Sequence, residues 1–336
     1  MKTWIKRILK FAALFIVIGI VVAAVGFAVS GFDFRNLSSN TYETHYAYFT
    51  AAKDVDRIVL DFDTTDITVE YTPDADKISI TYETQHTKSG DALTKVIEKN
   101  ENGVISFTEE RSWRASVNFF DFHEMKASVT LPEDFATALE IETDTGDILI
   151  KGAKVDSRVK LSTDTGDVRI EDSAFSDISV EVDTGDVFIR KAKLSGAFRL
   201  ESDTGDATLG DLEANSVSLS ADTGDIALKD VKSGTGISIE TDTGDVDLNG
   251  SIFAKTVDIE TDTGDIDGED TTVDAESIAI RTSTGDAEIR LVGAKSEYEI
   301  LINVRTGNVN VQSSSGGPRR LSFTSSTGDG EFFFAS

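Results

Sequence analysis

The chain has 336 residues, no Cys, three Pro and a formal net charge of −28. Without Cys, disulfides are excluded and the fold must be held by apolar packing. An excess of acid this large disfavours nucleic acid and anionic lipid as partners of the surface.

Residues 1–10 carry Lys2, Lys6, Arg7 and Lys10 and no acid, and residues 11–29 are a run of 19 apolar or small residues. That length suffices for one membrane-spanning helix, and the basic flank predicts a cytoplasmic N-terminus with the rest of the chain outside. The expected organisation is a basic N-terminus at 1–10, a transmembrane anchor at 11–30 and a linker at 31–52. A cleaved signal peptide ending near Ala28 or Ser30 is the alternative. The linker is rich in aromatic residues (Tyr42, Tyr46, Tyr48, Phe49). It reads either as a juxtamembrane segment or as a first capping strand.

Residues 53–138 read as degenerate capping coils with insertions. Arg57–Val69 resembles the module repeated later, with Thr65 in place of a glycine. Thr65 to Gly146 is 81 residues, about four periods. Residues 91–100 are expected to form a short helix. The stretch from Trp113 to His123 is aromatic, and Trp113, Phe119, Phe120 and Phe122 are candidates either for a lid over the open end or for a partner contact. Phe332–Phe334 at the C-terminus carries the same two readings.

From 139 to 336 the chain is organised by Asp-Thr-Gly-Asp. The glycines are Gly146, Gly166, Gly185, Gly205, Gly224, Gly244, Gly264, Gly285, Gly307 and Gly328, at intervals of 19 to 22 residues. A fixed period of this kind marks a repeat array. Apolar residues recur seven and five before each glycine (Leu139 and Ile141 in the first copy) and two and four after it (Ile148 and Ile150). Period-two alternation on both sides of a turn means two short strands per repeat. A loose apolar residue in the second linker (Val155, Phe175, Leu194, Phe253) suggests a third side. The pattern predicts an all-β, right-handed parallel β-solenoid, single-stranded and β-helix-like, of about 20 residues per coil. It would have roughly fourteen coils and a length on the order of 65 Å at ~4.8 Å per coil. Each glycine is expected to supply the positive φ of a type II turn, capped by the preceding Asp. Thr before each glycine should form a ladder.

The acids form two columns, Asp144/164/183/203/222/242/262 and Asp147/167/186/206/225/245/265. Like charges ~5 Å apart repel by roughly 1 kcal/mol even in a water-like dielectric. Turn amides or cations must offset this. If cations do, Asp183, Asp186, Asp203, Asp206, Asp222 and Asp225 are the calcium ligands. If amides do, no metal is needed. His45, His86 and His123 have no spacing suited to a metal or a nucleophile, and no phosphate loop or Ser/His/Asp pattern is present. An acid repeated in every coil reads as structure, so no catalytic residue and no cofactor is expected.

The Thr-Asp-Thr-Gly-Asp-(Ile/Val) repeat, following the strand Val129 to Pro132, resembles the bacterial "putative adhesin" β-strand-repeat family, a domain of unknown function. The resemblance covers about residues 53–336. With the N-terminal anchor, the whole chain is similar to Lia-type membrane-anchored proteins of Gram-positive envelope-stress operons. That resemblance implies a non-enzymatic β-solenoid at the cell surface, single-pass in the membrane. It would be an adhesin-like scaffold or a stress-sensing module whose partners are envelope components or membrane regulatory proteins. A calcium-binding surface rod and a polysaccharide-active β-helix enzyme remain the alternatives. The last repeats depart from the motif at its first Asp (Ser283, Arg305, Ser326).

Overall fold

A computed structural model describes residues 40–51, 55–112 and 123–335, with eleven residues of the stretch 15–29. The expected anchor and the aromatic segment Trp113–Phe122 therefore lie largely or wholly outside the described residues. Those of 15–29 that are described are helical and exposed. Among the described residues no helix is long and apolar enough to cross a membrane.

The described chain is an all-β solenoid of right-handed type with about nine regular turns. In each coil the strand before the turn pairs in parallel with its equivalents one coil away, without slip. Ile141 lies beside Leu161, Leu161 beside Val180, and Val180 beside Leu200. The strand after the turn does the same, Ile148 beside Val168 and Val168 beside Val187. This register puts the alternating apolar residues into inward columns, and Ile141, Leu161, Val168, Ile170, Leu200 and Ile239 are all buried. Each such side chain contributes roughly 1.5–3 kcal/mol by leaving water. The third side exists too: Val155, Phe175, Leu194 and Phe253 are buried, and Phe175 pairs with Leu194 across coils. The Thr ladder is in register from Thr145 and Thr165 to Thr284 and Thr327.

A second corner stands six residues after the turn glycine. There Gly152, Asp172, Lys191, Asp211, Asp230 and Gly250 all have φ between 48 and 78°. Left-handed backbone costs a residue with a Cβ roughly 1–2 kcal/mol, and Asp tolerates it better than Lys. Lys191→Gly is therefore expected to stabilise the protein by about 0.5–1 kcal/mol, after subtracting the extra chain entropy of glycine. Its ion pair with Asp172, at 3.6 Å, is exposed and offsets little. A urea titration in which the variant unfolds earlier than wild type would refute the assignment of strain to this corner.

The ends depart from the sequence expectation. The interval from Thr65 to Gly146 does not hold four stacked coils. Leu60 lies directly beside Ile141 and Ile67 beside Ile148. The coil containing Arg57–Phe62 and Thr65–Thr72 thus rests straight against the first regular coil. On its other side it meets later strands, Val104–Arg111 and Met125–Pro132. The intervening chain goes sideways into antiparallel pairs. Lys77–Thr87 joins Met125–Pro132, Asn40–Thr50 joins Lys77–Thr87, and Thr94–Glu101 joins Val104–Arg111. Residues 94–101 are accordingly strand rather than the helix expected there, because Thr94, Val96 and Ile97 fit a pleated surface. Antiparallel additions close the stacking edge that another identical coil would extend. The fourteen-coil estimate fails for this reason, and the stack of the described residues is shorter, roughly 50–55 Å at ~4.8 Å per level.

The other end shows the same leapfrog. Ile278 pairs with Leu321, and Leu321 pairs with Ile300. The coil of Arg319–Thr327 is inserted between its two predecessors, and the earlier Tyr298–Thr306 becomes the outermost strand. Phe332 is thus an ordinary core residue packed on Phe323 at 5.3 Å, not a lid. The free edge of the outer strand is covered instead by the Ser/Gly loop, where Ile300 and Ser314 exchange backbone hydrogen bonds of 2.8 and 2.9 Å.

Candidate functional site

The turn edge is where the repeated residues converge. The turn glycines have φ of 139–157°, well beyond the ~80° of a type II turn. That region is essentially reserved for glycine. A second requirement comes from the neighbouring coil. A Cβ on Gly205 would stand 2.0 Å from the carbonyl oxygen of Gly185, and the same overlap recurs from Gly166 to Gly328. Each glycine occupies the space into which the preceding turn's carbonyl projects. Thr65 fills the equivalent position in the coil next to the first regular one, without positive φ. The strands flanking the corresponding position beneath it end at Arg111 and begin at Met125.

The second Asp of the motif, not the first, caps amides, and it does so between coils. Oδ1 of Asp147 accepts the N–H of Asp167 at 2.8 Å, and Oδ1 of Asp167 accepts that of Asp186 at 2.9 Å. Asp206, Asp225, Asp245 and Asp265 continue the series. The ladder follows the leapfrogged order, Asp265 to Asp286 to Asp329 to Asn308. It begins at Asp66, whose Oδ1 takes the Asp147 amide at 3.1 Å. Asn308, the one uncharged member, stands at the open end, where no further coil supplies an amide. The sequence reading placed the cap on the preceding Asp within its own turn. Extended glycine φ instead turns each N–H along the stack toward the coil below.

Asp144, Asp164, Asp183, Asp203, Asp222, Asp242 and Asp262 are exposed. At the end of this column Ser283 donates to Asp262 at 3.1 Å. The departures from Asp at Ser283, Ser326 and Arg305 thus bring a donor and then a cation where charge has accumulated.

Beside the first turn, and outside the ladder, Glu109 Oε2 accepts the Asp63 N–H at 3.2 Å, while Arg111 donates to Thr64 Oγ1. Burial pushes the Glu109 carboxyl above the usual carboxylate range, against the lowering effect of the Asp63 amide. Glu109 lies outside the repeat, so periodicity could not single it out.

Away from the acid edge, Gly210 stands between Arg190 and Lys229 in a column of mixed charge that also holds Glu171. The missing side chain opens a shallow groove of about 420 Å³, also lined by Arg169, Phe188 and the acids Glu171, Asp211 and Asp230. The Arg169 guanidinium lies over the Phe188 ring at 5.0 Å. Trp113, Phe119, Phe120 and Phe122 are outside the described residues. The sequence also left the histidines apart, whereas antiparallel pairing brings His45 and His86 to one hydroxyl, that of Thr84.

Among solved structures, a "putative adhesin" of Bacteroides fragilis is similar over 87% of this chain and 97% of its own, with 12% identity and a TM-score of 0.38. A "putative adhesin" of Parabacteroides distasonis covers 87% and 96%, with 11% identity and a TM-score of 0.33. A "putative lipid binding protein" of the same species covers 88% and 97%, with 13% identity and a TM-score of 0.29. No curated protein matches the chain. The family described as Toastrack DUF4097 matches residues 55–197 and again 176–331, so that nearly the whole solenoid is accounted for, and the chain belongs to this family.

Proposed function

We propose that the protein is a non-enzymatic scaffold held at the cell surface by its N-terminal segment, with the solenoid outside, serving as an adhesin-like or envelope-stress module of the Lia type. The observation that carries this reading is the uniformity of the turn edge. Its second acid column is spent coil by coil on backbone amides, and the acids recur identically rather than as one pair set apart in a groove, as acid–base chemistry requires. The anchor rests on the 19 apolar or small residues that follow Lys2, Lys6, Arg7 and Lys10.

Protease added to intact protoplasts is expected to digest the solenoid while leaving a membrane-embedded N-terminal stub. Full protection would overturn the orientation. A mature chain released into the medium and starting near residue 30 would overturn the anchor.

A further inference from the structure

The strands Asn40–Thr50 and Lys77–Thr87 pair antiparallel, with Glu43 opposite Thr84 and His45 opposite Tyr82. Alternate residues of each strand share a face, so Glu43, His45, Thr84 and His86 lie together. The Thr84 hydroxyl is 2.7 Å from His45 Nε2 and 3.0 Å from His86 Nε2. One hydroxyl can donate to only one of these nitrogens, so the other ring donates to it. His86 Nε2 is also 3.7 Å from a Glu43 carboxylate oxygen. The three ligand-type atoms lie within 4.8 Å of one another. The His45 ring is held by stacking on Tyr82, centroids 5.0 Å apart and 18° between planes. Tyr82 is itself fixed by donating to Glu98 at 2.6 Å. His123 lies on the opposite face, against Glu83 at 3.0 Å.

We infer that Glu43, His45 and His86 form a binding site for a borderline divalent transition metal such as Zn²⁺. Two imidazoles and one carboxylate are a donor set that zinc accepts, with water completing a tetrahedron. Ligand atoms ~2.0–2.2 Å from such an ion stand about 3.3 Å apart, so the cluster needs to contract only slightly. The ion replaces the Thr84 hydroxyl as the common partner of both rings. Hard cations such as Ca²⁺, which take six or more oxygens, are not served by it. The ion would clip Asn40–Thr50, the strand nearest the N-terminal apolar run, onto the antiparallel end of the solenoid.

The test titrates untagged full-length protein in detergent with Zn²⁺ by calorimetry. One equivalent is expected to bind with micromolar affinity, and Ca²⁺ not to bind there. His45→Ala and His86→Ala should each weaken binding by more than roughly 100-fold, beyond the ~10–100-fold caused by losing a supporting partner. His123→Ala should leave it unchanged. Should an alanine variant unfold, Co²⁺ added to wild type decides, by paramagnetic broadening strongest around Glu43, His45 and His86 and fading with distance from them. Absent Zn²⁺ binding, binding retained by the double histidine variant, loss in His123→Ala, or broadening centred elsewhere would each overturn the site.

Discussion

Gly205→Val is expected to destabilise the solenoid by on the order of 3–5 kcal/mol, the sum of a backbone conformation closed to β-branched residues and an overlap that cannot relax. The overlap is with backbone: the new Cβ would lie 2.0 Å from the Gly185 oxygen and 2.6 Å from its carbonyl carbon. Relief requires the two coils to separate, which breaks the 2.9 Å hydrogen bond donated by the Gly185 N–H to the Thr204 carbonyl oxygen. Stability in a nearest-neighbour stack is a sum of coil and interface terms, so damage should concentrate at the coils of Gly185 and Gly205. Hydrogen exchange should show protection lost there first. Lys229→Val, on an exposed outer position, is the control and should stay within ~0.5 kcal/mol of wild type. Equal losses from the two substitutions would show that the glycine column has been misread.

The two Asp columns should respond in opposite directions. Replacing Asp186, Asp206 and Asp225 together by Ala removes three carboxylates that each hold the amide of the next coil. At roughly 1 kcal/mol per bond, the expected loss is about 3 kcal/mol. Replacing Asp183, Asp203 and Asp222 by Asn breaks no amide cap and relieves repulsion along an exposed line. The expected result is unchanged or raised stability, most clearly at low salt, where screening is weakest. Millimolar Ca²⁺ should raise the melting temperature of wild type only slightly, and Mg²⁺ equally. A calcium-selective rise, abolished by the Asp183/Asp203/Asp222 triple variant, would instead establish a calcium-dependent rod, because a ligand bound only by the folded state stabilises it by mass action.

Much of the solenoid was legible because its determinants are local and repeated. The alternation of Leu139, Ile141, Ile148 and Ile150 around Gly146 recurs in each coil, and every recurrence reinforces the register of the next. Even the third side could be read from a single apolar residue per coil, Phe175 or Phe253, because a buried position must be filled whatever its precise backbone. The site was less legible. Both Asp columns were evident, yet the turn cap was read on the first Asp and stands on the second. A column's chemistry depends on where the amide of the adjacent coil points, and that direction follows from a glycine φ near 150° that no residue type specifies. The left-handed corner at Asp172, Lys191 and Asp211 escaped notice because no single residue type occupies it.

What the sequence by itself determined is the period, the inward columns and the glycine turns, all set by side-chain size and polarity within one coil and its copy. The tertiary structure alone decided the order in which the terminal coils stack, with Leu60 against Ile141 and Leu321 between Ile278 and Ile300. It also decided the meeting of His45 with His86 through Thr84. The physical reason is the same in each case. Every coil offers nearly the same apolar face, so local pattern cannot say which neighbour it will meet. That choice is made by the length and closure of the connecting chain and by the need to cover both free edges of the stack.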